Sequence, residues 1–278
     1  MIPIRDHNPS GRTPYVTWAL IAANLGIFLA MLPLFGAPRQ LMGFYMEWGV
    51  VPARIAAGAG LETLLTSQFL HGGWLHLGFN MLFLWIFGDN MEEEWGHLRF
   101  GLFYLGCGVA AGLAQVAADP GSGVPMVGAS GAVAGVLGGY LLMFPRARVD
   151  LLFWFIFIIR IVPVPAWLML GAWFALQVLG GMTMVTDAGG VAYWAHAGGF
   201  VAGLVATVPV WLRRGGVAYW GRNFGHPPHP EARYRLVRTS VPAVRRRVGT
   251  PPAGKPPGHG PWGTRSIFPR VLRRRRRR

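Results

Sequence analysis

Charge is scarce in this sequence. Only 13% of its 278 residues are Asp, Glu, Lys or Arg, about half the share usual for a soluble domain. Cysteine is scarcer still. Cys107 stands alone, so no internal disulfide can form and the redox compartment is left open. It lies in an apolar run and reads as a small packing residue. Carboxylates are missing from the apolar runs and there is no HExxH. His71 and His76 are five residues apart, so they do not share a helix face as i, i+4 ligands would. A zinc site is therefore set aside. No repeat of fixed period is visible.

What the chain does have is long apolar runs. It is 53% hydrophobic with a mean hydropathy of +0.37, which places it among multi-pass membrane proteins. A spanning helix takes about 20 mostly apolar residues, and six stretches qualify: 15–35, 70–88, 99–118, 127–144, 164–181 and 191–212. The expected fold class is an all-α membrane protein, a bundle of six transmembrane helices over residues 15–212. The segment "DLLFWFIFIIRIVPVP" before the fifth run contains Arg160 and two prolines. It is expected at the membrane interface, outside the span. The polar start "MIPIRDHNPSGRTP" leads into a run too long for a typical signal-peptide core and without a clear cleavage site, so the first run is read as a retained span.

The net charge of +15 is a property of one end. Residues 1–212 hold 8 basic and 10 acidic side chains, whereas residues 213–278 hold 18 basic ones and a single acid, Glu231. That tail is rich in Pro, Gly and Arg and lacks apolar periodicity, so it is expected to be disordered. Anionic lipid headgroups are its expected partner, and nucleic acid is not expected. Arg5 and Arg12, Arg146 and Arg148, and the tail all fall on one side of a six-span layout. That side is cytoplasmic by the distribution of Lys and Arg, with residues 1–14 and the tail both facing it. The expected location is a bacterial inner membrane.

Polar side chains at membrane depth are costly, so each is a functional candidate. In "HGGWLHLGFN", His76 and Asn80 sit at i, i+4 and share one helix face. His71 is expected at the membrane mouth, and His97 to be solvated in the acidic turn. In "AHAGGFVAG", Gly199 and Gly203 follow His196 on nearly the same face. In "VGASGAVAGVLGGY", Gly131, Gly135 and Gly139 form a ridge beside Ser130. Two glycine-faced helices approach closely, and a serine needs such closeness to give its proton to a histidine on another helix.

At these residues the sequence resembles the rhomboid family of intramembrane serine proteases. "GASG", with Gly128 and Ser130, is similar to the family's GxSG motif. "HGGWLHLGFN" is similar to its HxxxxHxxxN pattern and "AHAGGFVAG" to its AHxxGxxxG pattern. The resemblance covers about residues 1–212. It implies Ser130 as nucleophile and His196 as general base, without a third carboxylate. His76, Asn80 and the Ser130 backbone N–H would form the oxyanion hole, supported by Gly128. It also implies no cofactor, and transmembrane segments of other membrane proteins as substrates, cut beside small and helix-destabilising residues. Two positions depart from the family. Trp48 is followed by Gly49 where many relatives have arginine, and Ala134 stands where some have an aromatic residue against the base. A non-catalytic binder or chaperone of membrane helices is the alternative reading, and retention of both Ser130 and His196 argues against it. A histidine-relay transporter is weakened by the lack of a carboxylate in the spans.

Overall fold

The computed structural model describes residues 2–155, 158–183 and 191–228. The described chain is mostly helical. Helix α1 (Tyr15–Met31) continues as a 3-10 turn, Leu32–Gly36. Three short helices follow, α2 (Pro38–Trp48), α3 (Pro52–Ala56) and α4 (Thr63–Thr66). Then come α5 (Trp74–Trp95), α6 (His97–Ala118), α7 (Ser130–Met143), α8 (Ala166–Thr183), α9 (Tyr193–Arg214) and α10 (Val217–Asn223). Both α2 and α3 open on proline, whose missing N–H is harmless in the first turn. Helix α9 ends at Gly215 in the left-handed region, with Arg213 and Arg214 in its last turn facing the negative end of the dipole.

Among the described residues, four helices are long and apolar enough to cross a membrane: Tyr15–Gly36, α6, α8 and α9. Helix α5 is as long as α6, but Asp89 and the run Glu92–Glu94 make its final turns acidic. Helix α7 has 14 residues, a length of about 21 Å against a hydrocarbon core of about 30 Å. Apolar all round, it is buried from Gly131 to Tyr140 by its neighbours, as such a helix must be. It packs on α9 more extensively than any other two elements pack.

The sheet is a feature the all-α expectation lacked. Strands β1 (Ile2–Asp6), β2 (Arg148–Phe155) and β3 (Ile158–Pro165) form an antiparallel sheet in the order β1-β2-β3. The segment expected at the membrane interface is thus a β-hairpin. Pro163 and Pro165 deny it a helix, and an edge strand tolerates their missing donors. Order also extends past residue 213, through the end of α9 and α10. The rest of the expected disordered tail, residues 229–278, lies outside the described residues.

Buried carboxylates tie the ends of the elements together. Glu92 on α5 accepts hydrogen bonds from the Val16 and Thr17 N–H groups at 2.9 and 2.7 Å, and from the Thr17 hydroxyl at 2.7 Å. It thereby caps the open N-terminus of α1. His97 is not simply solvated, since its Nδ1 lies 2.5 Å from Glu92 Oε1. Asp150 on β2 pairs with Arg5 at 2.7 Å and His7 at 2.9 Å. Burial works against its ionisation, but these two partners outweigh it and hold the carboxyl below the usual range.

Tyr140 of α7 donates to Asp6 Oδ2 at 2.7 Å, joining the sheet to the bundle. Desolvation pushes the Asp6 carboxyl from its ordinary 3.8 to about 8. A carboxyl raised on folding stabilises most when protonated in both states. Its contribution is full below about pH 4 and is lost as pH rises towards about 8. Asp6→Asn should remove that decline. Melting temperatures from pH 4 to pH 9 should fall more steeply for the parent than for the variant, and equal slopes would refute the assignment.

Candidate active site

Helix α7 begins where the chain turns at Gly128, whose φ of +131° favours glycine. The Gly128 N–H donates to the Ser67 carbonyl at 2.9 Å, which fixes the turn. Ser130 follows as the first residue of α7, with its hydroxyl at the top of the helix. His196 lies in the first turn of α9, whose start is held by Gln115 of α6 accepting from the Ala195 N–H at 3.2 Å. The crossing of α7 and α9 brings His196 Nε2 to 2.8 Å from Ser130 Oγ.

The glycines divide their work differently from the expectation of two facing ridges. A Cβ on Gly199 would overlap the Gly131 carbonyl oxygen, and one on Gly203 the Gly135 carbonyl oxygen. Those α9 glycines therefore lie directly on the α7 backbone. On α7, however, Gly131 and Gly135 face Ala111 and Cys107 of α6, while Gly139 faces Met91, Thr207 and Phe103. On the α9 side, Gly138 lies under the Phe200 carbonyl, and a Cβ on Gly135 would also meet the Gly199 carbonyl oxygen at 3.2 Å. Helix α7 is thus pressed on two sides at once.

His76 and Asn80 come to the same place from α5. His76 Nε2 lies beside Gly128, where a Cβ would sit 2.7 Å from it. The Gly72 N–H points at His76 Nδ1 over 3.4 Å. Asn80 is buried and donates to the His76 carbonyl at 2.9 Å. His71 is wholly buried rather than at a mouth, its ring edge-on to His76 at 5.1 Å and its carbonyl bound by the Tyr45 hydroxyl at 3.0 Å. A cavity of about 770 Å³ joins these groups. Ser130, His196, His76 and Asn80 line it, and it extends to Asp119, Ser122 and Val124 in the loop after α6.

Both departures from the family pattern have a structural answer. The first loop is pinned by Arg54, whose guanidinium donates to the carbonyls of Met46 and Gly49 at 2.7 and 3.0 Å. Thr66 adds a bond to the Trp48 carbonyl at 2.7 Å, and Val50 pairs with Met126 as an isolated bridge. The ring of His196 is covered by Trp173 of α8, with centroids 5.8 Å apart and planes inclined by 33°. Gln177, one turn further along α8, places Oε1 2.8 Å from His196 Nδ1. Gln177 and Trp173 were absent from the sequence expectation. A glutamine inside the apolar run 164–181 was the available signal.

The fold and the site together define a helical membrane protein with a serine and a histidine in hydrogen-bond contact beside a cavity. Residues 59–213 match the Rhomboid domain, and the chain belongs to the rhomboid family. It is 32% identical over 201 residues to the mitochondrial rhomboid protein 1 of Saccharomyces cerevisiae, covering 67% of this chain and 51% of that one. It is 37% identical to the chloroplastic rhomboid-like protein 11 of Arabidopsis thaliana, over 47% of this chain and 42% of that one. Against the rhomboid protease GluP of Bacillus subtilis the identity is 34%, over 46% and 24% of the respective chains. The chain thus spans about half the length of these curated relatives, or less.

Proposed function

We propose that this protein is an intramembrane serine endopeptidase that hydrolyses peptide bonds in or near transmembrane segments of other membrane proteins. The observation that carries the reading is the 2.8 Å contact between Ser130 Oγ and His196 Nε2 at the wall of the cavity. Ser130 attacks the scissile carbonyl while its proton passes to Nε2. The tetrahedral intermediate collapses to an acyl-enzyme as the protonated ring returns the proton to the leaving amine, and water then releases the acyl group by the same route. His76, with Nδ1 facing the Gly72 N–H, keeps its proton on Nε2, beside Gly128 and the nucleophile. That donor, an amide hydrogen of Asn80 and the Ser130 N–H are suited to the oxyanion. Each such donor is worth about 3 kcal/mol in the transition state.

Water reaches the serine through the cavity, whose lining runs to residues 119, 122 and 124–127 in the loop after α6 and to residues 191–194 at the start of α9. Substrate unwinds before it is cut, because a helical peptide bond is covered and internally hydrogen-bonded. No cofactor enters this scheme. Helices α5 and α7 count as spans in this reading, giving six, with both termini cytoplasmic in a bacterial cell membrane. Relatives named as mitochondrial and chloroplastic stand beside one from Bacillus subtilis. Residues 213–278, with 18 basic side chains, rest on anionic lipid.

A non-catalytic helix binder of the same fold would need no reactive serine, and that difference is the test. Purified protein in detergent should take up a fluorophosphonate on Ser130, found by mass spectrometry of the modified peptide. Wild-type protein that stays unmodified while it still binds a transmembrane peptide would favour the binder.

A further inference from the structure

His196 is gripped at both ring nitrogens, and the second grip lies outside the contact with Ser130. Nε2 faces Ser130 Oγ at 2.8 Å, and Nδ1 faces Gln177 Oε1 at 2.8 Å. A neutral imidazole carries one proton, so one of these nitrogens donates and the other accepts. Which is which decides whether the serine can be activated. Only a ring protonated at Nδ1 leaves a lone pair on Nε2 for the Ser130 proton.

Gln177 settles the choice through its own second bond. Its amide nitrogen donates to the Trp173 carbonyl at 3.2 Å. A carbonyl can only accept, so the nitrogen of the Gln177 amide must face Trp173 and the oxygen must face the histidine. The oxygen in turn can only accept, so Nδ1 must carry the proton. Gln177 is buried, and Trp173 packs over the same ring at 5.8 Å, so neither partner swings away easily. A buried amide in an otherwise apolar stretch costs free energy unless both its ends are bonded. Here both are.

Resting on the hydrolase reading above, we infer that Gln177 is a positioning residue that locks His196 in its Nδ1-protonated tautomer and holds the imidazolium formed during the reaction. When Ser130 transfers its proton to Nε2, the ring gains one positive charge and keeps its Nδ1–H. That N–H remains directed at Gln177 Oε1, so the amide dipole faces the new charge. An ionised carboxylate in this place would carry a desolvation cost at membrane depth. A neutral amide gives orientation without that desolvation cost. Trp173 contributes both the anchoring carbonyl and the covering ring, which leaves the ring to turn about neither axis.

The experiment uses full-length protein in detergent, labelled with 15N at histidine, with the His196 signals identified by their loss in His196→Asn. In the wild type at neutral pH, Nδ1 should show the shift of a protonated ring nitrogen and Nε2 that of an unprotonated one. Gln177→Met keeps the volume and removes the acceptor. It should mix the two tautomers, lower kcat about 10- to 100-fold and leave KM within about twofold. Gln177→Glu offers an acceptor oxygen whether or not it is ionised, and should restore the tautomer and most of kcat. A wild-type ring protonated at Nε2 overturns the inference, whether or not any variant folds. So does Gln177→Met with unchanged tautomer or kcat, or Gln177→Glu no better than Gln177→Met. Full turnover by Ser130→Ala would sink the hydrolase reading instead, and the nitrogen shifts would still decide the role of Gln177.

Discussion

Alanine at Ser130 or at His196 should each abolish cleavage of a transmembrane substrate, and the double variant should be no slower than either single one. The proposed mechanism uses the two side chains as one device, joined by the Oγ–Nε2 contact of 2.8 Å. Without the base, the serine hydroxyl is a poor nucleophile at neutral pH. Without the serine, the histidine has nothing to activate in the right place. Losses from such a pair do not add. Each single change should lower kcat by on the order of 10⁴-fold, leaving whatever the oxyanion donors and substrate binding sustain. Stability should move little for Ser130→Ala, and should fall for His196→Ala, which leaves the buried Gln177 oxygen without its donor. Ser130 opens α7 instead of lying within its packed stretch, and the α9 residues set on α7 are Gly199 and Gly203. The measurement is turnover by purified, monodisperse protein with melting temperature recorded alongside. A double variant ten times slower than both singles would mean that they act independently.

Much of this was legible in the sequence because membrane depth makes polar residues conspicuous. His76, Asn80 and His196 stand out in apolar runs, and the structure brings all three to Ser130 around one cavity. The glycines were legible as a means of close approach, since nothing else explains so many of them beside Ser130 and His196. Which neighbour each one meets was not. Helical spacing fixes the face a residue shares with its own helix, and it carries no information on which helix lies opposite. Hence Gly131 and Gly135 lie under Gly199 and Gly203 of α9, while their own nearest neighbours on the open side are Ala111 and Cys107 of α6. Arg54 and Gln177 escaped for a related reason. Arg54 reaches back to loop carbonyls and Gln177 crosses to a histidine on another helix, and no periodicity encodes such bonds. The sheet escaped because "RVDLLFWF" is as apolar as a short span, and run length alone does not separate a buried strand from a helix segment. Pairing with residues 2–6, far away in sequence, decides the matter.

Gly199→Ala should cost nearly all activity although it adds one carbon and touches neither Ser130 nor His196. A Cβ at this position would overlap the Gly131 carbonyl oxygen, which is backbone and cannot rotate aside. The added carbon would also stand 3.2 Å from Ala111 Cβ, so a second helix crowds it. Helices α7 and α9 must therefore separate, and Gly131 is the residue after Ser130. A separation of about 1 Å would stretch the Ser130–His196 contact beyond hydrogen-bond range, and such a misplacement costs about 100-fold in rate. Gly203→Ala meets the Gly135 backbone on every near side and should lower the melting temperature at least as much, because the close helix contact is itself the packing force in a membrane. Its effect on rate should be smaller, being two helical turns from His196. Gly106→Ala on α6 is the control, since an added carbon there meets nothing within 4 Å. It should match the wild type in both turnover and melting temperature. The expected order of activity is Gly106→Ala, then Gly203→Ala, then Gly199→Ala. Wild-type turnover by Gly199→Ala would show that helix spacing at this crossing does not set the geometry of the serine and its base.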